Sequence, residues 1–245
     1  MKKIVVFVVL LCSLFSLSAA ALQVQGVTVD GNYWFGEGKS VIGVFDPVDS
    51  KHNSVTVAAS ASFSPGLVLG IDYTYGKHSQ HTKNGEPPTF DKISEAHQIV
   101  STTLGYTAML SPGLTATASL GLGAYKIAAK FEEDGEWISV TTKTLKPQIG
   151  LAAQYQVTPQ FSLRSNATTF LGTGGELLLD GSLFGPQPYE LELNLFRWQI
   201  EGKYLLKAGW EAVAGYRAWN INIIDEGHEF GLDANGFYIG VRYSF

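Results

Sequence analysis

Two short stretches of this sequence gather the residue types of nucleophilic catalysis. Lys77-His78-Ser79-Gln80-His81 sets a serine between two imidazoles, and Asp225-Glu226-Gly227-His228-Glu229 sets carboxylates beside one. A serine activated by histidine, itself oriented by a carboxylate, is acyl-transfer chemistry, but sequence neighbours rarely supply its geometry. The remaining histidines are His52 and His97, and all five fall in or beside polar stretches that read as loops. Metal binding by His78, His81 and His228 would need loops to converge. Solvated loop residues are the simpler reading, so no catalytic, cofactor-binding or metal residue is expected. The sequence also carries no nucleotide-binding loop, zinc-finger spacing or coiled-coil heptad.

A second set of charges is placed quite differently, inside segments of strict alternation. In 196–206, Phe196, Trp198, Ile200, Gly202, Tyr204 and Leu206 share one face. Arg197, Gln199, Glu201, Lys203 and Leu205 share the other. Period-two alternation marks strands. Leu67, Leu69, Ile71, Tyr73 and Tyr75 likewise oppose Val68, Gly70, Asp72, Thr74 and Gly76, and segments 55–63, 114–123 and 161–171 follow suit. The second face is small and polar, whereas the inner face of a soluble sandwich of this length needs bulky residues. The strands therefore read as apolar outward and polar inward. The inward row holds Asp30, Asp72, Lys146, Gln148, Arg164, Arg197, Glu201, Lys203, Glu211, Arg217 and Arg242. Both signs are present, so a charge network filling a narrow lumen is expected, with Asp30, Asp72 and Glu201 near the level of Arg197 or Arg217.

The turns give the strand count. Phe63-Ser64-Pro65-Gly66-Leu67 recurs as Leu110-Ser111-Pro112-Gly113-Leu114, as Val157-Thr158-Pro159-Gln160-Phe161 and as Leu206-Lys207-Ala208-Gly209-Trp210, at spacings of 47, 47 and 49 residues. Proline presets φ and glycine tolerates positive φ, which suits both to tight turns. Five units follow, each a pair of strands: 24–36 with 54–63, 67–78 with 97–110, 114–130 with 138–157, 161–172 with 193–206, and 210–222 with 236–245. Longer connections are expected near 37–53, 79–96, 131–137, 173–192 and 223–235. The loop 173–192 carries Leu177-Leu178-Leu179 and Leu183-Phe184, a lid over the mouth in its simplest reading. About ten antiparallel strands with short turns at one end and long loops at the other make an up-and-down transmembrane β-barrel, closed because lipid tolerates no free edge. Aromatics gather near strand ends: Phe63, Phe161, Trp210, Tyr243 and Phe245 toward the short turns, and Tyr33, Phe35, Tyr73, Tyr75 and Trp219 toward the long loops. Interfacial girdles are the expectation.

Both termini agree with this architecture. Met1-Lys2-Lys3, an apolar run from Ile4 to Leu17 and the small residues Ser18 to Ala21 form a secretory signal peptide, expected to span 1–21 and to be removed, leaving one barrel domain over 22–245. Cys12, the single cysteine, lies within the leader, so no thiol chemistry is expected. Losing Lys2 and Lys3 takes the formal charge from −5 to −7, which argues against nucleic acid as a partner. At the other end, Phe237, Ile239, Val241, Tyr243 and Phe245 alternate with Tyr238, Gly240, Arg242 and Ser244. Tyr238-x-Gly240-x-x-Tyr243-x-Phe245 resembles the C-terminal assembly signal of bacterial outer-membrane barrels. As a pattern, the whole of 22–245 resembles the small outer-membrane β-barrel proteins of Gram-negative bacteria, the broad OmpA/OmpW/OmpX-like class. That resemblance implies localisation in the outer membrane, contact with its lipid and lipopolysaccharide, and passage through the barrel-assembly machinery. It implies a non-enzymatic barrel, structural or a narrow channel for small solutes, with no cofactor. A rim enzyme hydrolysing lipid or peptide and a surface-recognition barrel are the alternatives. Omptin proteases share the ten-stranded architecture, but their paired aspartates are missing and Glu226-x-His228 stands where they carry Asp-x-His.

Overall fold

The computed structural model describes residues 23–41, 48–80, 92–133, 135–172, 174–182, 184–225 and 228–245. The signal peptide expected over 1–21, Cys12 within it, His81 and Glu226 lie outside these residues. Eleven antiparallel strands form one sheet: β1 (Val24–Val41), β2 (Val48–Phe63), β3 (Leu67–Gln80), β4 (Lys92–Ser111), β5 (Leu114–Glu133), β6 (Glu136–Gln156), β7 (Phe161–Phe170), β8 (Gly175–Gly181), β9 (Phe184–Lys207), β10 (Trp210–Asp225) and β11 (His228–Ser244). Each strand pairs with the next except β7 with β8, and β1 pairs with β11 from Thr28↔Ser244 to Val41↔Gly231, which closes the ring. β7 and β8 share one place between β6 and β9, so eleven strands make a barrel ten staves around. The break between them falls at 171–174, where Gly172 and Gly174 adopt positive φ. There the Lys146 ammonium donates to the carbonyls of Gly172 (3.0 Å) and Leu193 (2.5 Å).

The repeated turns sit where their residue types place them. Gly66, Gly113 and Gly209 take φ of 103°, 81° and 79° as the chain re-enters the wall, a conformation that costs glycine nothing and other residues a steric penalty. The fourth turn, with Gln160 in that place, is instead stapled by Thr158, whose hydroxyl accepts from the amides of Gln160 and Phe161.

At the opposite end the strands outrun expectation. Within the segments expected as loops at 37–53, 79–96 and 173–192, the described residues are largely strand. Their alternation is hidden because above the lipid both faces carry polar or glycine residues. The 173–192 segment is no lid among the described residues. β8 and the start of β9 form a hairpin that raises the wall, and Leu177 and Leu179 pack inward on the apolar core.

The outward face is a belt of exposed apolar side chains, including Val57, Leu104, Leu120, Leu122, Leu151, Ile200, Ile239 and Val241. Trp210, Tyr243 and Phe245 stack in sequence at its inner rim, with centroids 4.8 and 4.6 Å apart. Phe161 packs over Gly202 beside them. Phe63, expected in the same girdle, is buried together with Ala61 of its own face. The outer rim holds Tyr33, Phe35, Trp198, Tyr216 and Phe237, and here the belt ends. The Tyr33 hydroxyl donates to Asn53 and that of Tyr216 to Asn235, each at 2.9 Å. Beyond these asparagines the outward positions turn polar, with Lys77, Gln98, Lys126 and Lys143 exposed.

Candidate functional site in the barrel lumen

Inward side chains divide the lumen into a charged floor and an apolar roof. The floor assembles most of the charges anticipated from the alternation. Arg242 reaches Asp30 at 3.3 Å, Glu201 at 3.4 Å and Glu211 at 3.9 Å. Arg164 lies 3.8 Å from Glu201, and the Tyr238 hydroxyl donates to the same carboxylate at 2.7 Å. Lys203 donates to Gln154. Arg197 crosses to Asp72 at 3.4 Å and also donates to Ser101. Of the three carboxylates, only Asp72 finds a partner at the level expected, Arg197, whereas Asp30 pairs with Arg242 and Glu201 with Arg242 and Arg164.

Arg217 behaves differently. Among the described residues no carboxylate lies within ion-pair distance of it, although it is buried. It donates to Gln199, Thr56 and Asn32 at 3.0, 3.0 and 3.4 Å. Its guanidinium also lies 4.8 Å from the Tyr238 ring centroid and 5.6 Å from that of Trp34, where the ring quadrupole attracts a cation. Arg217 therefore links floor to roof. Between the charges lies a cavity of about 260 Å³, whose lining includes Asp30, Asp72, Arg164, Arg197, Glu201 and, toward the roof, Trp219. That falls below the roughly 300–1,000 Å³ of ordinary ligand pockets.

The roof corrects the expectation that the inward face is small and polar throughout. In the outer half, Trp34, Ile99, Tyr125, Phe170, Leu193, Leu195, Trp219 and Ile221 point inward and form a buried cluster. Trp219, expected in the outer girdle, is only 3% exposed. It lies two residues from inward Arg217 and so on the same face. Gly123 leaves space for Phe170, whose ring a methyl group there would strike.

Three histidines are built into this roof. His52 (β2), His78 (β3) and His97 (β4) are strand residues with buried rings; His52 had been expected in a loop and the other two at strand ends beside loops. His52 is the register partner of His78, and His97 faces Gly76, two residues before it. A methyl group on Gly76 would collide with the His97 ring, so this glycine is what lets the imidazole lie across β3. His52 Nδ1 and His78 Nε2 share a hydrogen bond of 2.8 Å, and Ser50 contacts His78 Nδ1 at 3.3 Å. The Trp34 ring lies tilted with its centroid 3.9 Å from that of His52, and Trp219 lies 4.7 Å from both Trp34 and His97. His52 Nε2, both nitrogens of His97 and the indole N–H groups of Trp34 and Trp219 are buried without a hydrogen-bond partner among the described residues. Each such orphan costs about 1–3 kcal/mol. His78 alone comes from the pair of local motifs with which the sequence suggested chemistry. His228 lies in β11, but its side chain, like those of Asp225 and Glu229, is outside the described set. The signal that would have found the triad is parity: His52 lies on the face of Ser54 and Thr56, and His97 on the face of Ile99 and Ser101.

Of the terminal residues, Tyr238, Gly240 and Arg242 face the lumen while Tyr243 and Phe245 belong to the inner girdle. Gly240 lies tight against the Gly31 carbonyl and Asn32 of β1.

The family described as outer membrane protein beta-barrel domain matches residues 7–182. Among solved structures, the outer membrane protease OmpT from Escherichia coli aligns with a TM-score of 0.65 at 11% identity, over 92% of this chain and 98% of that one. The translocator domain of autotransporter NalP from Neisseria meningitidis aligns with a TM-score of 0.48 at 11% identity, over 100% of this chain and 98% of that one. At 11% identity the likeness to OmpT is one of fold. No curated protein matches the chain. Because the matched residues 7–182 span well over half of the 245-residue sequence, the chain belongs to the outer-membrane β-barrel family and resides in the outer membrane.

Proposed function

We propose that the protein is a non-enzymatic barrel whose lumen is shut to all but the smallest solutes. The observation that carries this reading is the layering of the lumen. An aromatic and aliphatic roof lies over a crosslinked charged floor, and the space between them is about 260 Å³. Barrels near eight strands are filled by their own side chains, and open aqueous channels appear near sixteen. The C-terminal girdle residues Tyr243 and Phe245 serve assembly, offering the insertion machinery an aromatic edge. A rim enzyme would need its chemistry in the outer connections. Replacing His228 with alanine would then abolish turnover while leaving a passive barrel's behaviour unchanged.

Planar-bilayer recording on the refolded protein tests this reading. Only small, brief conductance steps are expected. A large, stable, porin-sized conductance from the unmodified chain overturns it.

A further inference from the structure

The three lumen histidines have no place in a passive plug. Structural core histidines are generally tied to a donor or acceptor, because an unpaired buried ring nitrogen is costly. Here three of the six ring nitrogens lack any partner among the described residues, and they belong to rings packed together. Three imidazolium charges in one dry pocket repel, so neutral rings are favoured, and a neutral imidazole is a metal ligand.

We propose that His52, His78 and His97 bind one divalent transition-metal ion at the outer end of the lumen. One ligand nitrogen from each ring lies within 4.8 Å of the others. A tetrahedral ion bound at about 2.0–2.1 Å sets such nitrogens roughly 3.3 Å apart. Binding therefore asks the nitrogens to close from within 4.8 Å to about 3.3 Å, a movement that ring rotation can supply. The ligands come from three adjacent strands, so their spacing is fixed by the register of the ladder. An all-imidazole set selects zinc, copper(II), nickel or cobalt over calcium or magnesium. Three protein ligands leave a fourth position for water. Glu95, the register partner of His78, is buried on the same inward face. Gly76 is required because a side chain there would displace the His97 ring.

The test uses the full barrel, refolded in detergent, stripped with a chelator and equilibrated with cobalt(II) or zinc(II). Bound metal is counted by elemental analysis, and cobalt is also followed by its visible d–d absorption. One ion per chain is expected. Quenching of tryptophan fluorescence by cobalt should be reversed by chelator, since Trp34 and Trp219 touch the triad. His52→Ala and His97→Gln should each weaken binding by more than about 100-fold, beyond the 10–100-fold typical of residues that only orient a ligand. His228→Ala should bind as the parent does. Heat-modifiable gel migration confirms that each variant is folded, and the parent's stoichiometry and quenching need no variant. Absence of stoichiometric metal in the parent overturns the proposal, as does full retention of the ion in both triad variants.

Discussion

Glu201→Gln is the most direct probe of the charged floor. Glutamine keeps the volume and one acceptor oxygen for the Tyr238 hydroxyl, so the change removes the charge and the acceptor that Arg242 uses. Glu201 is 3% exposed, and its oxygens lie 3.4 Å from Arg242 and 3.8 Å from Arg164. At an effective dielectric of about 20, each attraction is worth about 4–5 kcal/mol before desolvation is subtracted. Desolvation offsets most of that, and stranding a buried partner costs about 3–5 kcal/mol net. Arg242 retains Asp30 and Glu211, and the Arg164 side chain is a third exposed. Both facts place the expected loss at the low end, about 3 kcal/mol. Urea unfolding of the barrel in phospholipid vesicles, followed by tryptophan fluorescence, measures it. Combined with Arg242→Met, the double variant should be destabilised by at least about 1 kcal/mol less than the two single losses summed, because the pair is in contact. A Glu201→Gln barrel within about 0.5 kcal/mol of the parent would refute the claim that this carboxylate organises the floor.

Other substitutions examine the remaining layers. Leu120 is 65% exposed midway up the outward face; Leu120→Arg should cost about 2–4 kcal/mol in vesicles, as for charge at a bilayer midplane. An exposed position in a soluble protein would change by only about 0.5 kcal/mol, so the unfolding midpoint in lipid decides it. Trp219→Ala should cost about 3–5 kcal/mol through the cavity it leaves and raise single-channel conductance, because the roof loses its central indole. Gly76→Ala should destabilise by about 1–3 kcal/mol through overpacking against His97 and Ser54, read in the same urea assay.

The parts of the barrel facing lipid were the legible ones. Phe245, Val241 and Ile239 repeat every second residue against one apolar solvent, and the turns at Pro65 and Pro112 punctuate them. The floor was legible for the same reason, since Arg197, Glu201 and Lys203 share the row opposite Trp198 and Ile200. Above the lipid the contrast disappears. Lys51, Asn53 and Lys77 point outward to water while His52, Ser54 and His78 point inward, and a strand that is polar on both faces reads as a loop. Trp219 was misplaced for another reason. Its aromatic type suggested a girdle, although its distance from Arg217 had already turned it inward. Cross-strand facts, such as His97 lying over Gly76, depend on register, which no single strand carries.

The seam between β1 and β11 joins residues as far apart as Thr28 and Ser244, 216 positions along the chain. Pairing of such sequence separation forms slowly, because the loop-closure entropy must be met before any contact compensates. Every other ladder in the ring joins strands close in sequence and can form by adding hairpins in order. Closure is therefore the natural final step of folding, and until it happens two unpaired strand edges stand open beside a partly formed lumen. Membrane insertion before closure would expose those edges to hydrocarbon, so sealing and insertion must proceed together. Kinetically, the lifetime of the open-seamed intermediate sets the window in which the chain is exposed to aggregation or proteolysis. That window should lengthen when Gly36, Gly236 or Gly240, which let the two backbones approach, is replaced by a larger residue.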